Sequence, residues 1–321
     1  MESGLTDRAP ALFPASLILL TYNQQSSVAA AIKAALAQEC VPIEIILSDD
    51  ASSDGTFEIL QNVAKTYTGP HHVIARRNAI NLGINPHLEY LVDCAESDLI
   101  IWAAGDDISR PDRAQKVIDA HSQTGAKLFF SDAETCTKDG GEGQAVYKNA
   151  LFYRAFNLKK AAISFSLFLG ATAATHKSLF KAYGPLPNAH AYEDLILGFR
   201  AAMEDSIHHI PEPLVRYQED KGVTGTQSGS RSRPVILQGQ LAVLQQRLKD
   251  ARTFGLAQTD PVVQKITAKL GFLAMRQRYY EPGFALSLKD LGHPLKLTQA
   301  LLSEWLRDRK SRKTQKDQAD G

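Results

Sequence analysis

A doubly wound α/β fold with a mostly parallel sheet follows from two habits of the first half of the chain. Short apolar runs without polar alternation recur between segments of helical period, and each run stops at polar or acidic residues. Ser16–Leu20 is the first run; Val28–Ala37, opened by Ser26 or Ser27, has helical spacing, and Ile43–Leu47 is the second run. The order continues with a helix over Thr56–Tyr67, a short strand at Val73–Ala75, a helix over Pro86–Ala95, the run Leu99–Ala103, a helix opened by Pro111, and Leu128–Phe130. Strands apolar at every position are those covered by helices on both faces, as parallel strands are. Beyond Pro234 the pattern is helical over Val235–Arg252 and Pro261–Tyr280, with a third helix expected over Leu295–Arg307.

Composition narrows the function classes. The 321 residues are 44% hydrophobic and 22% charged, an ordinary globular balance, so fibrous and disordered readings fall away. A formal net charge of +1 argues against nucleic-acid binding by bulk charge. Cys40, Cys94 and Cys136 lie far apart without CxxC spacing, which excludes a disulfide scaffold or zinc knuckle and suits a reducing cytoplasm. Glu2 and Asp7 precede only a short apolar stretch, unlike a secretory signal. The apolar stretches Leu99–Ala104 and Phe165–Ala174 fall short of a membrane span and are expected in the core.

In doubly wound sheets ligands bind beyond the carboxyl ends of the strands, so the residues after each run are the candidates for chemistry. Thr21, Tyr22 and Asn23 follow the first run, and Asp49, Asp50 and Ser52–Thr56 follow the second. Gly105, Asp106 and Asp107 follow the third. The first two sets also suit plain turns and helix caps. Adjacent carboxylates after a buried strand repel one another and call for a cation, most naturally a hard divalent ion whose shell phosphate oxygens complete, with loop capping as the alternative for this pair too. No GxGxxG, GxxxxGKS/T, HExxH or GxSxG pattern occurs, which removes the main support for dinucleotide, P-loop, zinc-peptidase and serine-hydrolase readings. The nine histidines show no ligand spacing.

Four segments, Ser16–Asn23, Glu44–Thr56, Asn81–Gly83 and Ala104–Arg113, resemble in order and spacing the successive motifs of family 2 inverting glycosyltransferases with the GT-A fold. The resemblance continues through Gly170–Thr175, His176–Phe180, Tyr183–Leu186 and Tyr192–Arg200, and covers roughly Ala15 to Tyr217. With the Gly/Ser/Thr-rich composition and the helical pattern that follow it, the resemblance gives four expected regions: an N-terminal extension (1–14), a GT-A catalytic domain (15–220), a flexible loop (221–234), and a helical C-terminal region with a basic tail (235–321).

Carried over residue by residue, the resemblance implies that Thr21, Tyr22 and Asn23 belong to the donor site, with Thr21 and Tyr22 lining the base pocket. Asp50 would bond the base, and Asn81 and Gly83 would lie beside the nucleotide. Asp106 would sit nearer the ribose, and Asp107 would ligate Mg²⁺ or Mn²⁺ on the diphosphate. Asp194 matches the catalytic base, with Glu193 near the acceptor, although the reverse assignment stays open. The Glu193-Asp194 pair also suits the first turn of a helix, where the dipole favours acids. Relatives carry Tyr-Arg-x-His after the last core strand; this chain has Tyr217-Gln218-Glu219-Asp220, so the histidine is missing. Asp220 is either its replacement or a solvated acid. The Gly/Ser/Thr-rich stretch Gly222–Arg233 is a linker or a lid bringing Arg231 or Arg233 to the diphosphate.

The expected activity is metal-dependent, inverting, hexosyltransferase-type transfer from a nucleotide-diphosphate sugar to a hydroxyl of a glycan or lipid-linked acceptor, in surface polysaccharide biosynthesis. A UDP-sugar is the favoured donor, with thymidine and guanosine donors open. The alternatives are a catalytically silent sugar-nucleotide-binding scaffold or a sugar nucleotidyltransferase; the latter's Gly-rich basic loop is absent where Thr21-Tyr22-Asn23-Gln24-Gln25 stands. Expected location is the cytoplasm. The tail Arg307–Gly321, with six basic and three acidic residues, is either a solvated end or a peripheral contact with the inner face of the cell membrane. A homodimer is compatible with the sequence and not required by it.

Overall fold

A computed structural model describes residues 13–135, 149–187, 192–218, 232–281, 301–304 and 306–307. Cys136, Asp220, Arg231, residues 1–12, residues 295–300 and the tail beyond residue 307 lie outside the described residues, and with them the membrane and metal roles considered for the tail and Asp220.

Eight strands form one sheet: β1 (Ser16–Thr21), β2 (Glu44–Asp49), β3 (His72–Arg77), β4 (Leu99–Ala104), β5 (Ile108–Ser109), β6 (Leu128–Thr135), β7 (Ala174–His176) and β8 (Ile207–Tyr217), in the order β3-β2-β1-β4-β7-β6-β8-β5. The first four pair in parallel, with Ile18 opposite Ile46 and Trp102. Burial on both faces follows from the two-residue period of a strand. Ile18, Ile46, Ile100 and Trp102 face one core, shared with Leu88, Leu91 and Val92 of α3 (Ile84–Cys94). Leu17, Leu19, Ile45, Leu47 and Ile101 face the other, with Val28 and Ile32 of α1 (Val28–Leu36), Leu60 of α2 (Thr56–Thr66), and Ala114 and Val117 of α4 (Arg113–Thr124).

Past β4 the sheet is mixed. β7 runs antiparallel to β4 and β6, while β6 pairs β8 in parallel along its whole length, which carries β6 to Thr135 rather than stopping at Phe130. Ser27 occupies the N-cap position of α1 without a side-chain cap, because its hydroxyl turns to the Gln24 carbonyl at 3.4 Å. Asp112, not Pro111, is the residue before α4, and Gly125 ends that helix in the left-handed conformation at φ 64°.

Two short helices, α5 (Leu158–Ala161) and α6 (Ser178–Lys181), precede α7 (Glu193–Met203). The C-terminal helices α8 (Arg233–Thr253) and α9 (Pro261–Arg278) share a core with the sheet domain: Leu237 and Leu244 of α8 and Val263 and Ile266 of α9 pack with Phe199 and Met203 of α7. A buried ion pair, Arg200 Nε to Asp250 Oδ2 at 2.8 Å, joins α7 to α8 with neither side chain exposed. α9 begins as the rules for helix starts expect, with Pro261 in its first turn and Asp260 accepting the Val262 N–H at 2.7 Å. No described helix is long and apolar enough to cross a membrane.

Candidate active site

Because β1, β2 and β4 are parallel neighbours, their carboxyl ends lie along one edge of the sheet, and the loops that follow them meet there. The loop after β1 is tied to the loop after β2. The Asn23 N–H donates to Ser52 Oγ at 2.8 Å, the Ser53 N–H to Asn23 Oδ1 at 2.8 Å, and the Gln24 N–H to Thr56 Oγ1 at 2.9 Å. The Gln25 N–H donates to Asp54 and the Gly55 N–H to Gln25 Oε1. Asn23 adopts φ 51°, a left-handed conformation that asparagine tolerates better than most residues. Thr21 is buried and bonds the Ser48 carbonyl at 3.0 Å, whereas Tyr22 is 49% exposed over the site.

The two acids after β2 divide their work. Asp49 is fully buried and accepts the Ser52 N–H at 2.9 Å, with Arg77 at 3.3 Å, so it shapes its own turn. Asp50 reaches sideways: Oδ1 accepts Asn78 Nδ2 at 2.6 Å and the Leu82 N–H at 2.9 Å, and Oδ2 accepts the Gly83 N–H at 2.9 Å. The loop bearing Asn81 and Gly83 is thereby fixed beside β2, and Gly83 sits at φ 77°, where a side chain is strained. Beneath it, buried His87 bonds Ser48 Oγ at 2.7 Å; burial pushes the imidazole down to about 4, so it is neutral at physiological pH.

Gly105 follows β4 against the first loop, where a Cβ would stand 2.9 Å from Thr21 Cγ2. Asp106 and Asp107 come next and are only 5% and 7% exposed. Burial first, then the neighbouring Asp106 charge, pushes the Asp107 carboxyl up to about 7, against the pull of the Gln218 N–H at 3.0 Å and of Arg113. Arg113 is itself buried, donating to Ser109 Oγ at 2.9 Å, the Trp102 carbonyl at 2.8 Å and the Ala171 carbonyl at 3.3 Å. Two adjacent buried carboxylates are a hard-oxygen donor set, and no group of three or more His, Cys, Asp or Glu suited to a metal occurs among the described residues. That set is too small to enclose a cation alone and fits one that keeps positions for water and phosphate oxygens, as Mg²⁺ does.

The second acidic pair stands at the N-terminus of α7. Glu193 and Asp194 are half-buried, Asp194 Oδ1 accepts the Leu195 N–H at 2.8 Å, and Gly170 lies so close that a Cβ there would be 3.3 Å from Asp194 Cβ. Burial, followed by the Glu193 charge, pushes the Asp194 carboxyl up to about 8, and burial raises Glu193 as well. The turn Gly170–Thr172 therefore has Asp194 against one end, while Arg113, which is coupled to Asp107, bonds the carbonyls of Ala171 and Ala173. Flanking the pair, Tyr192 and Leu195 join Phe165, Val235, Gly239 and Val243 around a cavity of about 120 Å³.

The sequence-derived candidates thus gather on loops at one sheet edge and on the α7 terminus. Arg233 does not join them, since it pairs with Glu304 at 3.2 Å instead of pointing toward a diphosphate. Sequence reasoning passed over Arg113, His87 and the Gln218 backbone. Arg113 lay inside a quoted motif and His87 inside an apolar helix face, but a backbone N–H leaves no signal in residue type.

A model of the family described as Glycosyl transferase family 2 matches residues 16–184. The succinoglycan biosynthesis protein ExoO of Rhizobium meliloti is 27% identical over 143 residues, 44% of this chain and 38% of ExoO. Among solved structures, S. aureus TarS in complex with UDP-GlcNAc superposes with a TM-score of 0.60 at 14% identity, covering 89% of this chain and 79% of that one. The mannosyltransferase PcManGT from Pyrobaculum calidifontis, in complex with GDP-Man and Mn²⁺, gives 0.56 at 17% identity over 91% of this chain and 74% of that one. At such identities the solved structures speak to the fold alone. The matches to curated relatives span little more than a third of each relative's length.

Proposed function

The chain belongs to glycosyl transferase family 2 and has a GT-A fold, and from that premise we propose that it is a metal-dependent, inverting glycosyltransferase. It moves a hexose from a nucleotide-diphosphate sugar, a UDP-sugar by preference, to a hydroxyl of a glycan or lipid-linked acceptor in surface polysaccharide biosynthesis. The observation that carries this reading is the pairing of two acidic sites across the Gly170–Ala173 turn: Asp106-Asp107 at the end of β4 and Glu193-Asp194 at the start of α7. One pair suits the leaving group and the other the attacking group.

The donor base stacks by Tyr22 over the loop that Asp50 holds, with Asn81 and Gly83 alongside. Asp106 would face the ribose, and Asp107, which accepts the Gln218 N–H, would hold Mg²⁺ or Mn²⁺. When bound, the ion offsets charge that builds on the departing diphosphate. Asp194 takes the proton from the acceptor hydroxyl as that oxygen bonds the anomeric carbon and the bond to the diphosphate breaks; one displacement inverts the centre. Since the base must be ionised and its carboxyl is pushed up to about 8, the rate rises with pH up to that region. The apolar cavity lined by Tyr192 and Leu195, the sequence neighbours of the acidic pair, supports an acceptor that brings an apolar portion to the site, and the likeness to ExoO supports a polysaccharide context.

The decisive experiment is a melting-temperature panel of UDP, dTDP, GDP and CMP, with and without Mn²⁺, on the wild type and Asp107→Ala. A ligand at a hundredfold its Kd adds about 2.7 kcal/mol of apparent stability. One diphosphate stabilising only with metal, and not in Asp107→Ala, supports the proposal; no response to any nucleotide overturns it and leaves an inherited fold serving as a scaffold that binds no sugar nucleotide.

A further inference from the structure

Arg247 lies in α8, far outside the residues 16–184 that match the family model, and its side chain is fully buried. Its guanidinium makes four hydrogen bonds to three backbone carbonyls. Nε and Nη2 donate to Leu195 O at 3.1 and 2.7 Å, and Nη1 donates to Ala162 O at 3.3 Å and Ser164 O at 2.7 Å. Leu195 is the residue whose N–H holds Asp194 Oδ1. Its peptide groups are therefore gripped from both ends, by the candidate base on the N–H side and by Arg247 on the carbonyl side.

A neutral side chain of similar size would fill the space, so the charge needs its own explanation, because a buried cation without a bonded carboxylate is costly. None of Arg247's hydrogen bonds goes to a carboxylate; Asp194 and Asp250 act on it through space, and Asp250 is already bonded to Arg200 and Gln246. Among the described residues, the charged groups acting on Asp194 are Glu193 from α7 itself and Arg247 from α8, while the 170–172 turn brings the Gly170 backbone against it. Glu193 opposes ionisation of Asp194 and Arg247 favours it.

We propose that Arg247 is a positioning residue for proton transfer: it fixes the first turn of α7 through Leu195 and supplies the positive charge that keeps the Asp194 carboxylate usable. The inference rests on the reading of Asp194 as the base.

Its test is the pH profile of kcat/KM for nucleoside diphosphate release with acceptor, in wild type, Arg247→Gln, Arg247→Lys and Asp194→Asn, with UDP and Mn²⁺ melting shifts as the check on fold and donor site. Arg247→Gln is expected to move the ionisation limb upward by about one pH unit, the low end of the effect of an adjacent opposite charge, and so to lower the neutral-pH rate about tenfold with the UDP shift intact. Arg247→Lys does not hold its charge in this site, because the burial that already lowers the Arg247 guanidinium to about 9 acts on an amine that is intrinsically less basic, so its limb also moves upward, and kcat falls because one amine does not span three carbonyls. An unmoved limb in folded Arg247→Gln, or a wild-type kcat in Arg247→Lys, overturns the proposal. Should Arg247→Gln not fold, Arg247→Lys decides by its limb and kcat. Transfer surviving in Asp194→Asn would instead overturn the assignment of the base.

Discussion

Replacing Asp50 by asparagine perturbs the donor loop at one atom while keeping the side chain's shape. The carboxylate accepts three hydrogen bonds, two at Oδ1 and one at Oδ2. The amide keeps one oxygen, best placed toward Asn78 and Leu82, and turns its NH₂ toward the Gly83 N–H. One charge-assisted bond is lost and two become neutral, a loss of about 2.5–7 kcal/mol at about 1.5–3 kcal/mol per charged bond and about 1 kcal/mol per neutral one. Asn81 Oδ1 also accepts the Gly83 N–H at 3.0 Å, which places the outcome at the lower end. With about 2–4 °C per kcal/mol for a domain of this class, a loss of about 2.5 kcal/mol lowers Tm by roughly 5–10 °C. Nucleotide affinity falls by up to about 60-fold, because every ~1.4 kcal/mol of loop order that binding must restore is a factor of ten. Calorimetry and UDP titration measure both. A variant with Tm within about 1 °C of wild type and affinity within about twofold would show that Asp50 does not order this loop, and the reasoning from its three bonds would be wrong.

Three further outcomes are expected. The Asp194 carboxyl titrates near 8 in the folded chain against an ordinary value of 3.8, so the folded state holds the proton more tightly and stability drains away as pH climbs between those values. Asp194→Asn should therefore raise Tm more at pH 8.5 than at pH 5, and equal gains at both would contradict the burial of its charge. Gly83→Ala meets no atom within 4 Å but forces alanine to φ 77° and ψ 171°, a region occupied almost only by glycine; the conformational penalty of about 1–3 kcal/mol should appear as a Tm loss of several degrees in a thermal melt. Asp250→Asn leaves Arg200 charged and buried without its partner, at a cost of about 3–5 kcal/mol in a denaturant titration; a loss under about 1 kcal/mol would mean that water reaches the pair.

Much of the fold is written locally. Ser16–Leu20, Ile43–Leu47 and Leu99–Ala103 are apolar except at Ser16 and Glu44, which are buried and bond each other, because helices cover both faces, and that pattern needs no partner to be visible. β7 is different: Ala174–His176 spans three residues, and its antiparallel seat between β4 and β6 depends on residues more than 40 positions away in sequence. The site divides in the same manner. Asp106-Asp107 and Glu193-Asp194 announce themselves as adjacent like charges, whereas Arg113 and Arg247 look like any surface cation until the carbonyls they bond are brought to them by the fold.

The knotting together of the loops after β1 and β2 bears on how a nucleotide would arrive. Asn23, Gln24 and Gln25 are already bonded to Ser52, Thr56 and Asp54, so this floor pays no ordering entropy when it is occupied. Encounter is then limited by orientation, in the ordinary range of about 10⁵–10⁷ M⁻¹s⁻¹, and does not wait on a slow rearrangement. Discrimination among bases falls to residence time: a wrong nucleotide enters this part of the site as fast as the right one and leaves sooner.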